Sequence, residues 1–212
     1  MEKIFYAGDS TVTFNKIDSY PQTGLSQTLA LYTKEQVNIK SLAKNGRSTK
    51  SFLEEGLLKP AEKEMEKGDF LFIQFGHNDG KDDPMRYTDP DTTFQYNLKY
   101  FIKIAREKGA YPVLITPIAR RYFDENGEFI FGSHGKYPEA IKKVGKEEGI
   151  PVIDLTDITE KFIANIGDLA SKEYFMWPVD NTHLKPYGAV IFSGFLCREL
   201  KKLGYPYSNL FI

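Results

Sequence analysis

Five short apolar runs, at residues 3–7, 37–42, 70–75, 112–116 and 151–155, recur along the chain with longer polar-faced stretches between them. In several of them apolar residues sit at consecutive positions, as in Phe70-Leu71-Phe72-Ile73. A strand of that kind buries both faces, as parallel strands beneath helices do. Segments 24–33, 48–67, 91–108, 137–148 and 155–173 have helical composition or spacing, and 186–203 closes the chain in the same way. Pro60 is expected to interrupt or kink the second of these, because proline lacks the N–H and crowds the preceding turn. Strand and helix in alternation predict an α/β fold with a five-stranded parallel sheet covered on both faces. Residues 80–90, rich in aspartate and proline, and residues 120–135 read as long surface loops, which in compact domains are often functional.

Composition narrows the class. The 212 residues show no internal repeat, low-complexity segment or linker, and 41% hydrophobic with 27% charged residues is ordinary for one soluble globular domain over 1–212. Lysine plus arginine, 28, nearly balances 29 acidic residues, so there is no long-range field to hold nucleic acid or an acidic membrane surface. Any preference for charge has to come from a local patch. Cys197 is the single cysteine, which leaves no internal disulfide and no thiolate zinc cluster, and it is expected to pack as a small apolar residue. The apolar run Ile4 to Ala7 is too short for a signal peptide or a membrane span, so the expectation is a cytoplasmic protein, although a secreted chain trimmed of its leader would begin alike.

In a parallel α/β sheet the ligand crevice lies beyond the carboxyl ends of the strands. The first strand is followed there by Gly8-Asp9-Ser10-Thr11, the second by Lys44-Asn45-Gly46-Arg47-Ser48, and the third by Gly76-His77-Asn78-Asp79. A serine hydroxyl is a weak nucleophile until a neighbouring base takes its proton. Of His77, His134 and His183, only His183 has an aspartate three residues earlier, Asp180, and a tight turn can lay that carboxylate on the imidazole. Ser10 then reads as nucleophile, His183 as general base and Asp180 as the group that fixes the histidine tautomer. Acyl transfer also needs donors for the oxyanion, and the backbone N–H groups of Ser10 and Gly46 with the Asn78 amide are the candidates. Blander roles exist for each: Asp9 and Ser10 as helix caps, Gly46 for a positive φ, Asn78 for a turn. Asp9 is read as organising its loop, His77 as a hydrogen-bonded structural histidine and not a second base, with substrate contact as its candidate role in the site, and His134 as a surface residue.

Gly8-Asp9-Ser10, Gly46, Asn78 and Asp180-x-x-His183 resemble the four ordered blocks of the SGNH (GDSL-type) hydrolases, in register along the whole chain. The phrases Ala7-Gly8-Asp9-Ser10-Thr11, Asn45-Gly46-Arg47-Ser48, Phe75-Gly76-His77-Asn78-Asp79 and Asp180-Asn181-Thr182-His183-Leu184 are similar, more narrowly, to the rhamnogalacturonan acetylesterase branch. That resemblance implies a flavodoxin-like three-layer α/β/α fold and a serine esterase that removes O-acetyl groups from pectic oligosaccharides through an acyl-enzyme on Ser10. It implies no metal or organic cofactor. Arg47, next to the oxyanion glycine, is expected to face the crevice, where a guanidinium could grip a uronic acid carboxylate; Arg120, Arg121 and Lys81 are the next candidates. Trp177 either stacks on a sugar ring or fills the core under its loop.

Other readings on the same scaffold are an acetylxylan or other short-chain esterase, and a lipid or thioester hydrolase, which would need an apolar acyl tunnel. A sugar-binding module without turnover is the non-enzymatic reading, and the intact set Ser10, Asn78, Asp180 and His183 argues against it. A nucleotide binder is disfavoured because no glycine-rich phosphate loop follows any strand. Oligomeric state is left open.

Overall fold

Five strands, β1 (Lys3–Gly8), β2 (Asn38–Ser41), β3 (Phe70–Gln74), β4 (Tyr111–Ile115) and β5 (Val152–Ile153), pair in parallel in the order β2-β1-β3-β4-β5. The computed structural model describes residues 2–212. This strand order is the flavodoxin-like one, and its reversal point lies between β1 and β3. Side chains of each strand alternate between two cores. Ile4, Tyr6, Phe70, Phe72, Val113 and Ile115 enter one, and Phe5, Ala7, Leu71, Ile73 and Leu114 enter the other.

Seven helices cover these faces among the described residues. The first core is closed by α1 (Leu25–Thr28), α6 (Leu155–Ser171) and α7 (Pro186–Lys202), and the second by α2 (Thr49–Glu54), α3 (Lys59–Glu64), α4 (Thr93–Glu107) and α5 (Tyr137–Glu148). α4 shows why such segments are helical: Phe94, Leu98, Phe101, Ile102 and Ala105 are buried at helical spacing, while Tyr96, Lys103, Arg106 and Glu107 between and beyond them face water. No helix among the described residues is long and apolar enough to cross a membrane.

The three-layer α/β/α architecture expected from the sequence is the one observed. Its helices differ in detail. Segment 24–33 is only one α-turn followed by a 3₁₀ turn at Leu29–Leu31. Segment 48–67 divides into α2 and α3, and Pro60 opens α3 instead of kinking a long helix, since a missing N–H is harmless in a first turn. Gly167, at φ 78° and ψ 176°, breaks α6 shortly before its end. Segments 80–90 and 120–135 are loops as expected, the second carrying a small bridge between Phe123 and Phe129.

Candidate active site

The turn after β1 is built around Asp9, whose Oδ1 accepts from the backbone N–H (2.9 Å) and the hydroxyl (2.8 Å) of Thr11. Its carbonyl accepts from the N–H groups of Val12 and Thr13. Asp9 therefore organises the loop, as the sequence suggested. Gly8 is required by close approach, because a Cβ there would lie 2.7 Å from Val12 Cγ2 and 3.0 Å from the Gln74 carbonyl oxygen. Ser10 emerges from this turn at the carboxyl edge of the sheet, 8% exposed.

Residues 176–183 form a loop closed at its base. Phe175 bridges Leu184, and the Met176 N–H donates to the His183 carbonyl at 2.8 Å. Within it, Asp180 Oδ1 accepts from the backbone N–H groups of Thr182 and His183, both at 2.7 Å. Its Oδ2 lies 2.9 Å from His183 Nδ1, and His183 Nε2 lies 2.8 Å from Ser10 Oγ. Burial works to raise the Asp180 carboxyl, but the His183 and Thr182 N–H groups and the imidazole outweigh it and hold the carboxyl below its ordinary value. A carboxylate on Nδ1 keeps that nitrogen protonated and leaves Nε2 free to accept the serine proton.

Asn78, buried at the end of β3, donates from Nδ2 to the Arg47 carbonyl at 3.0 Å, which ties the third turn to the second. Gly46 has φ +78°, and a Cβ on it would meet nothing within 4 Å, so conformation and not crowding calls for glycine there. Among the described residues, neither the Ser10 N–H nor the Gly46 N–H has a protein acceptor. Asp79 binds α2 to the same edge: Oδ1 accepts from Thr49 N–H (2.9 Å), Thr49 Oγ1 (2.6 Å) and Thr88 Oγ1 (3.0 Å), while Oδ2 is buried without a partner. Burial pushes its carboxyl up to about 7, against the pull of those donors.

Ser10, Asn78, Asp180 and His183 line one cavity of about 540 Å³, together with His77, His134, Lys81, Arg120, Tyr122 and Tyr137. Two expectations need correction here. His134 is not a surface residue: it is buried, and its Nε2 lies 3.1 Å from His77 Nδ1. Burial, with Arg120 beside them, pushes His77 well below the ordinary histidine range and His134 down to about 3. Arg47, in turn, does not line the cavity. Its Nε and Nη2 donate to Glu55 at 3.2 and 2.8 Å and its Nη1 donates to the Asn45 carbonyl at 2.8 Å. Glu55, just past α2, is the nearest carboxylate, and it turns the guanidinium away from the site.

Trp177 does not fill the core. It is 40% exposed, lies over the Arg121 guanidinium (4.8 Å) and the Lys172 ammonium (5.0 Å), and faces a second cavity beside the first. Arg121 is the site residue whose role the sequence hid. Only 3% exposed, it pairs with Asp168, donates to Ser171 Oγ (2.9 Å) and the Asp168 carbonyl (2.9 Å), and reaches Asn181 Oδ1 (3.1 Å). Its backbone N–H also donates to the Asn181 carbonyl at 2.8 Å. Nothing in the pair Arg120-Arg121 distinguishes a solvated charge from a buried strut; only the long-range partners do. Among the described residues no group of three His, Cys, Asp or Glu side chains is placed to hold a metal ion.

The profile of the GDSL-like lipase/acylhydrolase family matches residues 6–189. Rhamnogalacturonan acetylesterase RhgT of Bacillus subtilis (strain 168) is 40% identical over 216 residues, which cover 96% of this chain and 91% of that protein. The probable rhamnogalacturonan acetylesterase YesY of the same organism is 40% identical over 214 residues, 99% of this chain and 97% of that one. Among solved structures, the B. subtilis protein YxiM superposes with a TM-score of 0.86 at 25% identity over 97% of this chain, which spans 57% of that protein. A catalytic mutant of Axe2, an acetylxylan esterase from Geobacillus stearothermophilus, shares the fold, with a TM-score of 0.66 at 14% identity over 97% of this chain and 95% of that one.

Proposed function

This chain belongs to the GDSL-like lipase/acylhydrolase family, and on that premise we propose that it removes O-acetyl groups from pectic oligosaccharides, with Ser10, His183 and Asp180 as its catalytic residues. It is a carboxylic ester hydrolase. The observation that carries the assignment of residues is the unbroken line Ser10 Oγ, His183 Nε2, His183 Nδ1, Asp180 Oδ2, with contacts of 2.8 and 2.9 Å.

Ser10 Oγ attacks the acetyl carbonyl carbon as its proton passes to His183 Nε2. The carbonyl π bond opens to an oxyanion, which the N–H groups of Ser10 and Gly46 and the Asn78 amide receive. Asp180 takes no proton; it holds the ring and stabilises the imidazolium. Collapse of the intermediate breaks the bond to the sugar oxygen, which leaves with the proton from His183. Water then attacks the acetyl-enzyme with His183 again as base, releasing acetate and restoring Ser10. The acetylated oligosaccharide is the partner in this reading, and a cavity of about 540 Å³ that sets Lys81, Arg120 and Asn78 beside the rings of Tyr122 and Tyr137 supports a sugar over a long acyl chain.

The reading is tested by acetate release from acetylated rhamnogalacturonan oligosaccharides, with acetylated xylo-oligosaccharides as the comparison, alongside a fluorophosphonate probe. The probe should mark wild type at Ser10 and leave Ser10→Ala unmarked, and that variant should release no acetate. Labelling that survives the substitution would remove Ser10 from its role, and release from xylan fragments alone would move the substrate away from pectin.

A further inference from the structure

Apart from the buried histidine pair and two tyrosines, four charged or chargeable groups line the Ser10 cavity: Asp180, His183, Lys81 and Arg120. Asp180 and His183 are committed to one another. Lys81 and Arg120 have no direct ion pair: among the described residues neither has a carboxylate within ion-pair distance, and the carboxyls that act on them, Asp9 on both and Asp83 on Lys81, do so from farther away. Most of the other basic groups bordering this edge are paired, Arg47 with Glu55, Arg86 with Asp83 and Arg121 with Asp168.

Arg120 is held rigidly. Its Nη1 donates to the Ser133 carbonyl at 3.1 Å and its Nη2 to the His77 carbonyl at 2.9 Å, so the fork is fixed between the loop 120–135 and the end of β3 while its remaining N–H groups have no protein acceptor. Lys81 lines the same cavity and is exposed, with no side-chain hydrogen bond to the protein. Two cations lining one cavity repel each other, and partial burial together with Arg86 and Arg120 lowers the Lys81 ammonium from its ordinary value. An anion between them would relieve both. A neutral sugar would not, because its hydroxyls carry no charge to set against the pair.

We infer that Lys81 and Arg120 form a carboxylate site in the Ser10 cavity, which selects esters whose acetylated sugar carries, or adjoins, a uronic acid. This deepens the proposed function and rests on it. The role first expected of Arg47 falls instead to two residues that line the cavity, and Arg120 supplies the planar fork while Lys81 supplies a mobile point charge.

The experiment compares one acetylated galacturonate oligosaccharide with its methyl ester, which keeps the acetyl group and removes the anion. For wild type at low salt, kcat/KM should favour the free acid by about tenfold or more, through KM, and the preference should shrink as salt screens the pair. Lys81→Glu should lower the acid-to-ester ratio by about tenfold or more, and Lys81→Arg should restore most of it. Lys81 is chosen because its side chain holds no other residue in place, and an unchanged thermal transition would show that the variants fold. A ratio near one in wild type, or a ratio that Lys81→Glu leaves unmoved, would overturn the inference while acetate release continues. If the variant weakens inhibition by added acetate with the ratio unmoved, the cations hold the product and not a uronic acid, and the inference is again overturned. Failure of wild type to deacetylate either compound removes the carbohydrate reading and this inference with it.

Discussion

Asp79 holds a carboxylate where charge is costly, since one oxygen collects three donors and the other has none. Its carboxyl is pushed up to about 7 by burial, against an ordinary 3.8 that the unfolded chain would show. Between those values the unfolded state has lost the proton and the folded state keeps it, so raising the pH through that window favours unfolding. Below the window both states are protonated and the native state loses nothing. Asp79→Asn retains an acceptor for Thr49 and Thr88 and cannot ionise, so its melting temperature relative to wild type should rise from pH 5 to pH 8. A constant gap across that range would mean that the three donors keep Asp79 ionised throughout. At this scale the sequence was legible where chemistry is local: Asp180 and His183 are three apart, and the turn between them does the rest. Arg47 was misread because adjacency to Gly46 says nothing about side-chain direction, which Glu55 decides.

The loop of residues 176–183 carries two of the three proposed catalytic groups, yet its tip is tied down from outside itself. Arg121 binds Asn181 at both its carbonyl and its side chain, and anchors on α6 through Asp168 and Ser171. The break at Gly167 starts a fresh turn just before Asp168, which the steady pattern of 155–173 did not reveal. Arg121→Met should leave Asp168 with Lys172 as its one cation and loosen the tip of the loop, which keeps only the backbone bond from residue 121 to the Asn181 carbonyl. We expect a loss of about 2 kcal/mol of stability, less than for a fully enclosed pair because Asp168 is partly in water. Well below the melting temperature, kcat and the rate of fluorophosphonate labelling at Ser10 should fall together, by about tenfold, with KM little changed, as a loss of orientation requires. Arg121→Lys should recover the ion pair but not the bonds to Ser171 and Asn181, and so recover stability more than kcat. Equal kcat in all three proteins would show that Arg121 supports the fold alone.

Across the whole molecule, alternation of apolar runs with helices was enough to read the layers, because burial on both faces leaves continuous apolar runs such as Phe70 to Ile73 in the central strand. The groups that escaped it, the His77–His134 pair and the Arg121 strut, join segments 47 to 60 residues apart, and periodicity carries no record of such pairings. The same architecture sets the choice of acyl group. The site opens at the reversal point between β1 and β3, where its walls are the ends of loops and not the apolar cores behind the sheet. A longer acyl chain would there lie along Lys81, Arg120, Asn78 and Thr182. Each added methylene can gain about 0.8 kcal/mol only where it leaves water for an apolar surround, and against charged groups it instead strips their hydration. An aryl acetate should therefore be hydrolysed with kcat/KM at least about tenfold above that of the matching octanoate, the ratio that about 1.4 kcal/mol of hydration stripped from those charged and polar groups produces. Equal or faster turnover of the octanoate would place an apolar acyl path in the molecule and favour a lipid or thioester substrate over an acetylated sugar.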